Sequence, residues 1–105
     1  MAGRVALTNA DDDRTVPAQA GDDIEVTLTG YRENGLTYSW SVPASDSAML
    51  HRTASGKTPR GDATARFHVE QDGTATLSAT RHCRPGQGHP CPLLVTPWKV
   101  RVQVN

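Results

Sequence analysis

The sequence of 105 residues has no long apolar run, no excess of charge of either sign and only two cysteines. No stretch approaches the ~20 consecutive apolar residues of a membrane-spanning helix, so no membrane insertion is predicted. The 11 basic residues balance the 11 acidic ones, which argues against a nucleic-acid partner, because binding to phosphates gains from net positive charge. No segment of useful length shows the 3.6-residue periodicity of a helix, so strands are the expected elements.

Signatures of catalysis are also missing. The sequence contains no G-x-S-x-G elbow, no H-E-x-x-H pair, no phosphate loop and no dinucleotide fingerprint. His68 alternates with Arg66 and Glu70 on what would be the wet face of a strand, which is typical of an ordinary surface residue. We therefore predict that the protein is not an enzyme and uses no cofactor.

Alternation of apolar and polar residues dominates the last third of the chain. Since side chains of a strand point to opposite faces with a period of two, each alternating set predicts a half-buried strand. The Asp72-Gly73 pair between the first two sets is a strong hairpin signal. The three inward-facing sets are Ala65, Phe67 and Val69; Ala75, Leu77 and Ala79; and Trp98, Val100, Val102 and Val104.

The earlier part of the chain continues the pattern in shorter pieces. Tyr38, Trp40 and Val42 alternate with serines and are expected to face the interior, with Trp40 as a core residue rather than a ligand-stacking one. Pro17 predicts an edge strand, because proline cannot donate to a ladder. Short strands are predicted near residues 4–8, 15–16, 24–28, 38–42 and 49–52, with loops at residues 30–35 and 55–61. The pattern predicts an all-β fold, a two-sheet antiparallel β-sandwich of about seven to eight short strands, in a single domain over residues 1–105.

The two cysteines, Cys83 and Cys91, flank a loop rich in glycine and proline. A disulfide is the expected arrangement, and closing so short a ring stabilises a fold by about 2.5 kcal/mol. A zinc site that adds His82 and His89 is the alternative, although the spacing is not C-x₂-C and adjacent residues of a strand point in opposite directions. The disulfide favours an exported protein. Because residues 1–4 lack the apolar core of a signal peptide, we expect a secreted or cell-surface protein whose signal or anchor is absent from this sequence; the alternative is a protein that is not exported.

Several segments together resemble the chagasin-type inhibitors of papain-like cysteine peptidases. VALTNADDDRTV followed by AGDDIEVTL is similar to the opening of that family, and TYSW is similar to the aromatic-x-Trp after its first binding loop. ARFHVEQDGTATLSATR, followed by an Arg-Pro loop and a final strand, is similar to its closing half. Thr37 stands where the family has a glycine, and Gly86 follows Arg84-Pro85 where the family has an aromatic residue.

The resemblance implies an immunoglobulin-like sandwich that inhibits without being cleaved, by filling the peptidase cleft with a wedge of three loops. It implies a monomer, from a bacterial branch, whose protein partner is a papain-like cysteine peptidase. The alternative is a structural or adhesive surface domain without inhibitory activity. The implied partner-binding residues are Asn34, Gly35, Leu36 and Thr37 in the first loop, Pro59, Arg60 and Gly61 in the second, and Arg84 and Pro85 in the third.

Overall fold

The computed structural model describes residues 3–86, 88, 90–91 and 97–105. Within these residues the chain forms strands and a single short 3-10 turn at Asn9–Asp11. The strands are β1 (Arg4–Thr8), β2 (Arg14–Ala18), β3 (Asp23–Leu28), β4 (Tyr31–Glu33), β5 (Leu36–Trp40), β6 (Ala44–Ser45), β7 (Leu50–Lys57), β8 (Ala63–Val69), β9 (Gly73–Arg84) and β10 (Pro97–Val104).

The strands form two sheets that pack face to face. One sheet has the order β1-β3-β8-β7, and the other has the order β2-β10-β9-β5-β4, with β6 pairing on β9. The all-β sandwich predicted from the sequence is confirmed. The sheets are mixed rather than wholly antiparallel, because β1 pairs with β3 and β2 pairs with β10 in parallel. Pro17 lies in β2, at the edge of its sheet, as predicted.

The core lies between the sheets and includes the three inward-facing sets predicted for the last third of the chain. Phe67 is 1% exposed, Leu77 0% and Trp98 1%. Trp40 belongs to the same cluster, which confirms its interpretation as a core residue. Both indole N–H groups are satisfied: Trp40 donates to the carbonyl of Thr29 (3.1 Å) and Trp98 donates to the carbonyl of Thr8 (3.0 Å).

The predicted hairpin at Asp72-Gly73 is wrong. β8 belongs to one sheet and β9 to the other, so this turn carries the chain across the sandwich. The reason is that both edges of β8 are already occupied, by β3 on one side and β7 on the other. The dipeptide predicts a turn correctly, but it does not decide which strands the turn joins.

Two predicted loops are shorter than expected. Residues 31–33 of the predicted loop at 30–35 form β4, and β7 continues through residues 55–57 of the predicted loop at 55–61. Val42 packs against the core as a partly buried residue, whereas Tyr38 is buried outside that cluster. Tyr38 therefore belongs to a separate packing unit at one end of the sandwich.

Candidate functional site

That unit is an extension of the second sheet, formed by β4, β5 and residues 81–84 of β9. Pro97 at the start of β10 pairs with Thr80, and β9 continues beyond this point to pair with β5. Four further residues of an antiparallel strand add ~14 Å. We call these strands, together with the turn between β4 and β5, the extension.

The turn at the tip of the extension consists of Asn34 and Gly35. Glu33 pairs with Leu36, so the hairpin has a two-residue loop. Both loop residues have a positive φ, 52° at Asn34 and 78° at Gly35. A two-residue turn of type I′ requires this geometry, and Asn-Gly is the sequence that adopts it best. The Asn34-Gly35 pair is itself a hairpin signal in the sequence, and it accounts for the difference from the predicted loop at residues 30–35.

The first and third predicted loops lie on adjacent strands of the extension. Thr37 of β5 pairs directly with Arg84 of β9, and Pro85 follows. Asn34, Gly35, Arg84 and Pro85 are exposed, and Thr37 is half-buried. The two segments are 47 positions apart in the sequence and form one surface only because β5 and β9 pair in this register.

The second predicted loop, at residues 58–61, lies in the connection between β7 and β8, beside the base of the extension. The amide of Trp40 donates to the carbonyl of Gly61 (2.9 Å), and the amide of Gly30 donates to Oδ1 of Asp62 (2.7 Å). Trp40 is three residues along β5 from Thr37, a distance of ~10 Å. The three loops therefore share one end of the sandwich, but the second is set back from the other two. Pro59 and Arg60 are exposed in this loop.

Two of the nine predicted contact residues are buried. Leu36 is 7% exposed, because its side chain alternates with that of Thr37 and points to the opposite face of β5. Gly61 is also buried, and a Cβ at this position would lie 2.8 Å from the Cβ of Ser39. These two residues support the loops; the other seven supply exposed or half-exposed surface.

An aromatic cluster that the sequence analysis missed stiffens the extension. The rings of Tyr31 and Tyr38 stack with centroids 4.8 Å apart. The guanidinium of Arg81 lies 4.6 Å from the centre of the Tyr38 ring and donates to the hydroxyl of Tyr31 (2.6 Å). The two tyrosines flank Asn34-Gly35 at equal separations, three residues before it and three after it, so a two-residue hairpin must place them opposite each other.

The disulfide predicted from the sequence is present. Cys83 of β9 is bonded to Cys91, with Cα atoms 5.9 Å apart. In the sheet, Cys83 pairs with Tyr38 of β5. His82 is exposed on β9, whereas His89, the other member of the alternative zinc set, lies outside the described residues. The bond ties the end of β9 to the loop that follows it.

Surface depressions lie elsewhere on the molecule. One of about 380 Å³ is on the sheet of β3, β7 and β8, bordered by Glu25, Ser55 and Arg66. Another of similar size is bordered by Arg14, Thr76 and Arg101 on the opposite sheet. Among the described residues, no helix is long and apolar enough to cross a membrane.

Comparison with solved structures finds the same fold in proteins of very different sequence. The cysteine protease inhibitor EhICP2 from Entamoeba histolytica matches with a TM-score of 0.68 at 18% identity, over 98% of this chain and 96% of that one. Amebosin matches with a TM-score of 0.58 at 19% identity, over 97% of this chain and 98% of that one. The inclusion body protein PixA from Burkholderia cenocepacia matches with a TM-score of 0.57 at 10% identity, over 85% of this chain and 59% of that one. No protein-family model matches the chain, and no curated protein sequence is significantly similar to it.

This chain shares its fold with EhICP2 and amebosin. At 18% identity the likeness concerns the fold alone. The match spans nearly the whole of both chains.

Proposed function

We propose that this protein is a non-catalytic binding module that inhibits papain-like cysteine peptidases by placing its loop-bearing end in their cleft. The observation that carries the proposal is the match to EhICP2 over nearly the full length of both chains, together with three loops at one end. The contact surface is formed by Asn34, Gly35 and Thr37 of the first loop, Pro59 and Arg60 of the second, and Arg84 and Pro85 of the third.

The affinity of such a surface depends on how much conformational entropy its loops lose on binding. A loop that is already fixed in its bound form loses less conformational entropy when it meets a partner. Here the Asn34-Gly35 turn, the Tyr31–Tyr38 stack and the Cys83–Cys91 bond each restrict the extension. The second loop is held by the two hydrogen bonds from the amides of Trp40 and Gly30.

The disulfide also supports an exported protein. Disulfides persist in oxidising surroundings and are rare in reducing ones. We therefore place the protein, as part of the same proposal, in a secreted or cell-surface setting, where it acts as a monomer on a peptidase partner.

Inhibition of papain and of cathepsin-like enzymes tests the proposal. Replacing Thr37 by Trp puts a bulky ring in the first loop, next to Arg84 of the third. A strand position accepts an aromatic residue. We expect Thr37→Trp to raise the inhibition constant at least about tenfold, a loss of about 1.4 kcal/mol of binding free energy.

The matched control is Thr76→Trp. Thr76 is a half-buried threonine on the same sheet, with its side chain on the same face, but it lies far from the extension along β9. We expect this variant to inhibit like the unmodified protein. Absence of inhibition by the unmodified protein at tens of micromolar, or equal effects of the two variants, would contradict the proposal.

The alternative is a structural or adhesive surface domain, and the match to PixA favours it because the same fold occurs there in an inclusion body protein. Such a domain would meet its partner through a sheet face. Recovery of one envelope partner by the unmodified protein and equally by Thr37→Trp, but not by Thr76→Trp, would support this second function.

A further inference from the structure

The charges of this neutral protein are unevenly distributed. The extension and the loop beside it carry four arginines, Arg32, Arg60, Arg81 and Arg84, against two carboxylates, Glu33 and Asp62. The rest of the chain carries seven basic residues against nine acidic ones. The loop-bearing end therefore has a net positive charge and the body of the sandwich a net negative one.

Two exposed arginines lie on one face of the extension. Arg32 pairs with Thr37, and Thr37 pairs with Arg84, so the three residues form a row across β4, β5 and β9. Residues directly opposite each other in a sheet share a face. Neighbouring strands are ~4.8 Å apart, which places the backbones of the two arginines ~10 Å apart on either side of Thr37. We call Arg32, Thr37 and Arg84 the arginine row.

The same alternation separates the row from the nearest carboxylate. Glu33 adjoins Arg32 in β4 and therefore points to the opposite face. Asp62 accepts a hydrogen bond from the amide of Gly30. Ser39 and His82, which pair with each other, continue the outer face of the row toward the base of the extension.

Three arginines of the body have carboxylate partners. Arg4 and Arg66 both pair with Glu25, and Arg14 pairs with Asp11 at 2.8 Å. In the part of the chain that the structure describes, none of the ion pairs includes Arg32 or Arg84. The arginine row therefore presents two exposed cations to whatever approaches this end.

We propose that the arginine row docks on carboxylates that border the cleft of the partner peptidase, one on each side of the position that Thr37 occupies. The inference rests on the proposed function, and it specifies which peptidases are bound: those whose cleft rim is acidic. Exposed complementary charges act mainly on the rate of association and on the choice of partner. At physiological ionic strength, charges separated by more than about 8 Å are largely screened, so the row acts on groups close to the tip.

The test compares two charge reversals of equal size. Arg32→Glu with Arg84→Glu reverses the row. Lys99→Glu with Arg101→Glu reverses two exposed cations on the same face of the same sheet, where they pair with Ser78 and Thr76. These control positions lie six and eight residues along β9 from Arg84, ~20 and ~26 Å away. Both double variants change the net charge by the same amount.

The partner is a peptidase that the protein inhibits and whose cleft rim is acidic. Its association with the protein is measured by stopped flow over a range of salt concentrations. We expect the association rate constant of the unmodified protein to fall steeply with salt. Reversal of the row should lower it by about 10- to 100-fold at low salt and remove most of the salt dependence. At physiological ionic strength, where charges ~20 Å away are screened, the control reversal should change the rate constant less than about threefold. Circular dichroism and thermal melting check that each variant is folded.

A second measurement is independent of any peptidase. On a carboxymethyl matrix at neutral pH and low salt, we expect the unmodified protein to elute last and the row variant to elute before the control variant, because the two variants have the same net charge and only the row variant loses its cationic end. Inhibition with an association rate that is insensitive to salt and to reversal of the row would overturn the inference and leave the proposed function standing. If retention depends on the row but the protein inhibits no papain-like enzyme, the proposed function is overturned, and so is the inference that the row docks on a peptidase. Equal behaviour of the two variants on the matrix would overturn the inference by itself.

Discussion

Gly61 joins the second loop to β5, and replacing it by alanine tests this junction. Its φ is +97°, a region that residues with a side chain rarely adopt, and the added Cβ would meet the Cβ of Ser39 at 2.8 Å and its Cα at 2.9 Å. Because the Cα of Ser39 belongs to the backbone of β5, this steric clash can be relieved only if the loop moves. Movement of the loop would break the hydrogen bond from the amide of Trp40 to the carbonyl of Gly61.

Gly21 provides the matched control. Its φ is +93°, nearly the same as that of Gly61, but an added Cβ would have nothing within 4 Å. Both alanine variants therefore bear the backbone strain, about 1–3 kcal/mol, and both gain the same small benefit from a less flexible unfolded chain. Only Gly61→Ala adds the steric contact and the lost hydrogen bond, which is worth about 1 kcal/mol.

We expect Gly61→Ala to be less stable than Gly21→Ala by at least about 1 kcal/mol, which corresponds to about 4–5 °C in Tm for a domain of this size. Thermal melting and urea denaturation followed by circular dichroism measure the difference. If the second loop is part of the binding surface, Gly61→Ala should also weaken inhibition in the peptidase assay while Gly21→Ala does not. Equal melting temperatures would refute the contact with Ser39 and, with it, the position of the second loop beside the extension.

Two further predictions concern stability. Replacing both Cys83 and Cys91 by serine should lower the free energy of unfolding by up to about 2.5 kcal/mol, the value for so short a ring, and an unchanged urea midpoint would contradict a stabilising bond. The carboxylate of Asp22 accepts hydrogen bonds from the amides of Gly3 (2.8 Å) and Gln19 (2.9 Å), which lower its pKa. Because the folded-state pKa is depressed, this stabilisation is present above the ordinary value of about 3.9 and is lost as pH falls through the lowered pKa. Asp22→Asn should therefore flatten the dependence of Tm on pH in that acidic range, and parallel curves for the two proteins would argue against it.

The sequence predicts the sandwich well because burial is a property of single strands. Each inward-facing set, such as Phe67 with its neighbours or Trp98 with its neighbours, is determined by alternation alone. The fold class follows from the number and spacing of such sets. The structure places these residues in the core as the pattern requires.

Pairing between strands was harder to predict, because it depends on what other strands already occupy. The Asp72-Gly73 turn has a good local hairpin signal, but β3 and β7 leave β8 no free edge for β9. Parallel pairing of β1 with β3 leaves no comparable local signal, since the two strands are joined through a strand of the other sheet. Long-range pairing is therefore the part of the fold that local sequence patterns do not determine.

At the loop-bearing end, too, the sequence predicts some features correctly and not others. Exposure of Pro59, Arg60 and Pro85 agrees with the sequence expectation, whereas Leu36 and Gly61 are buried. The burial of Leu36 could have been predicted, since it lies two residues before Tyr38 and so shares its face. The burial of Gly61 depends on contact with Ser39, which no local pattern shows.

The stagger of the three loops constrains any partner. Asn34-Gly35 and Arg84-Pro85 lie at the far end of the extension, and the second loop is held at its base by Trp40, ~10 Å back along β5. A flat surface would therefore touch the tip and leave the second loop in solvent, whereas a cleft with one high wall would contact all three. Pro59 and Arg60 should then matter only for partners with such a wall, and the tip should matter for every partner. Peptidases that differ in the height of one cleft wall should consequently rank differently against a Pro59→Gly, Arg60→Gly variant but identically against Thr37→Trp.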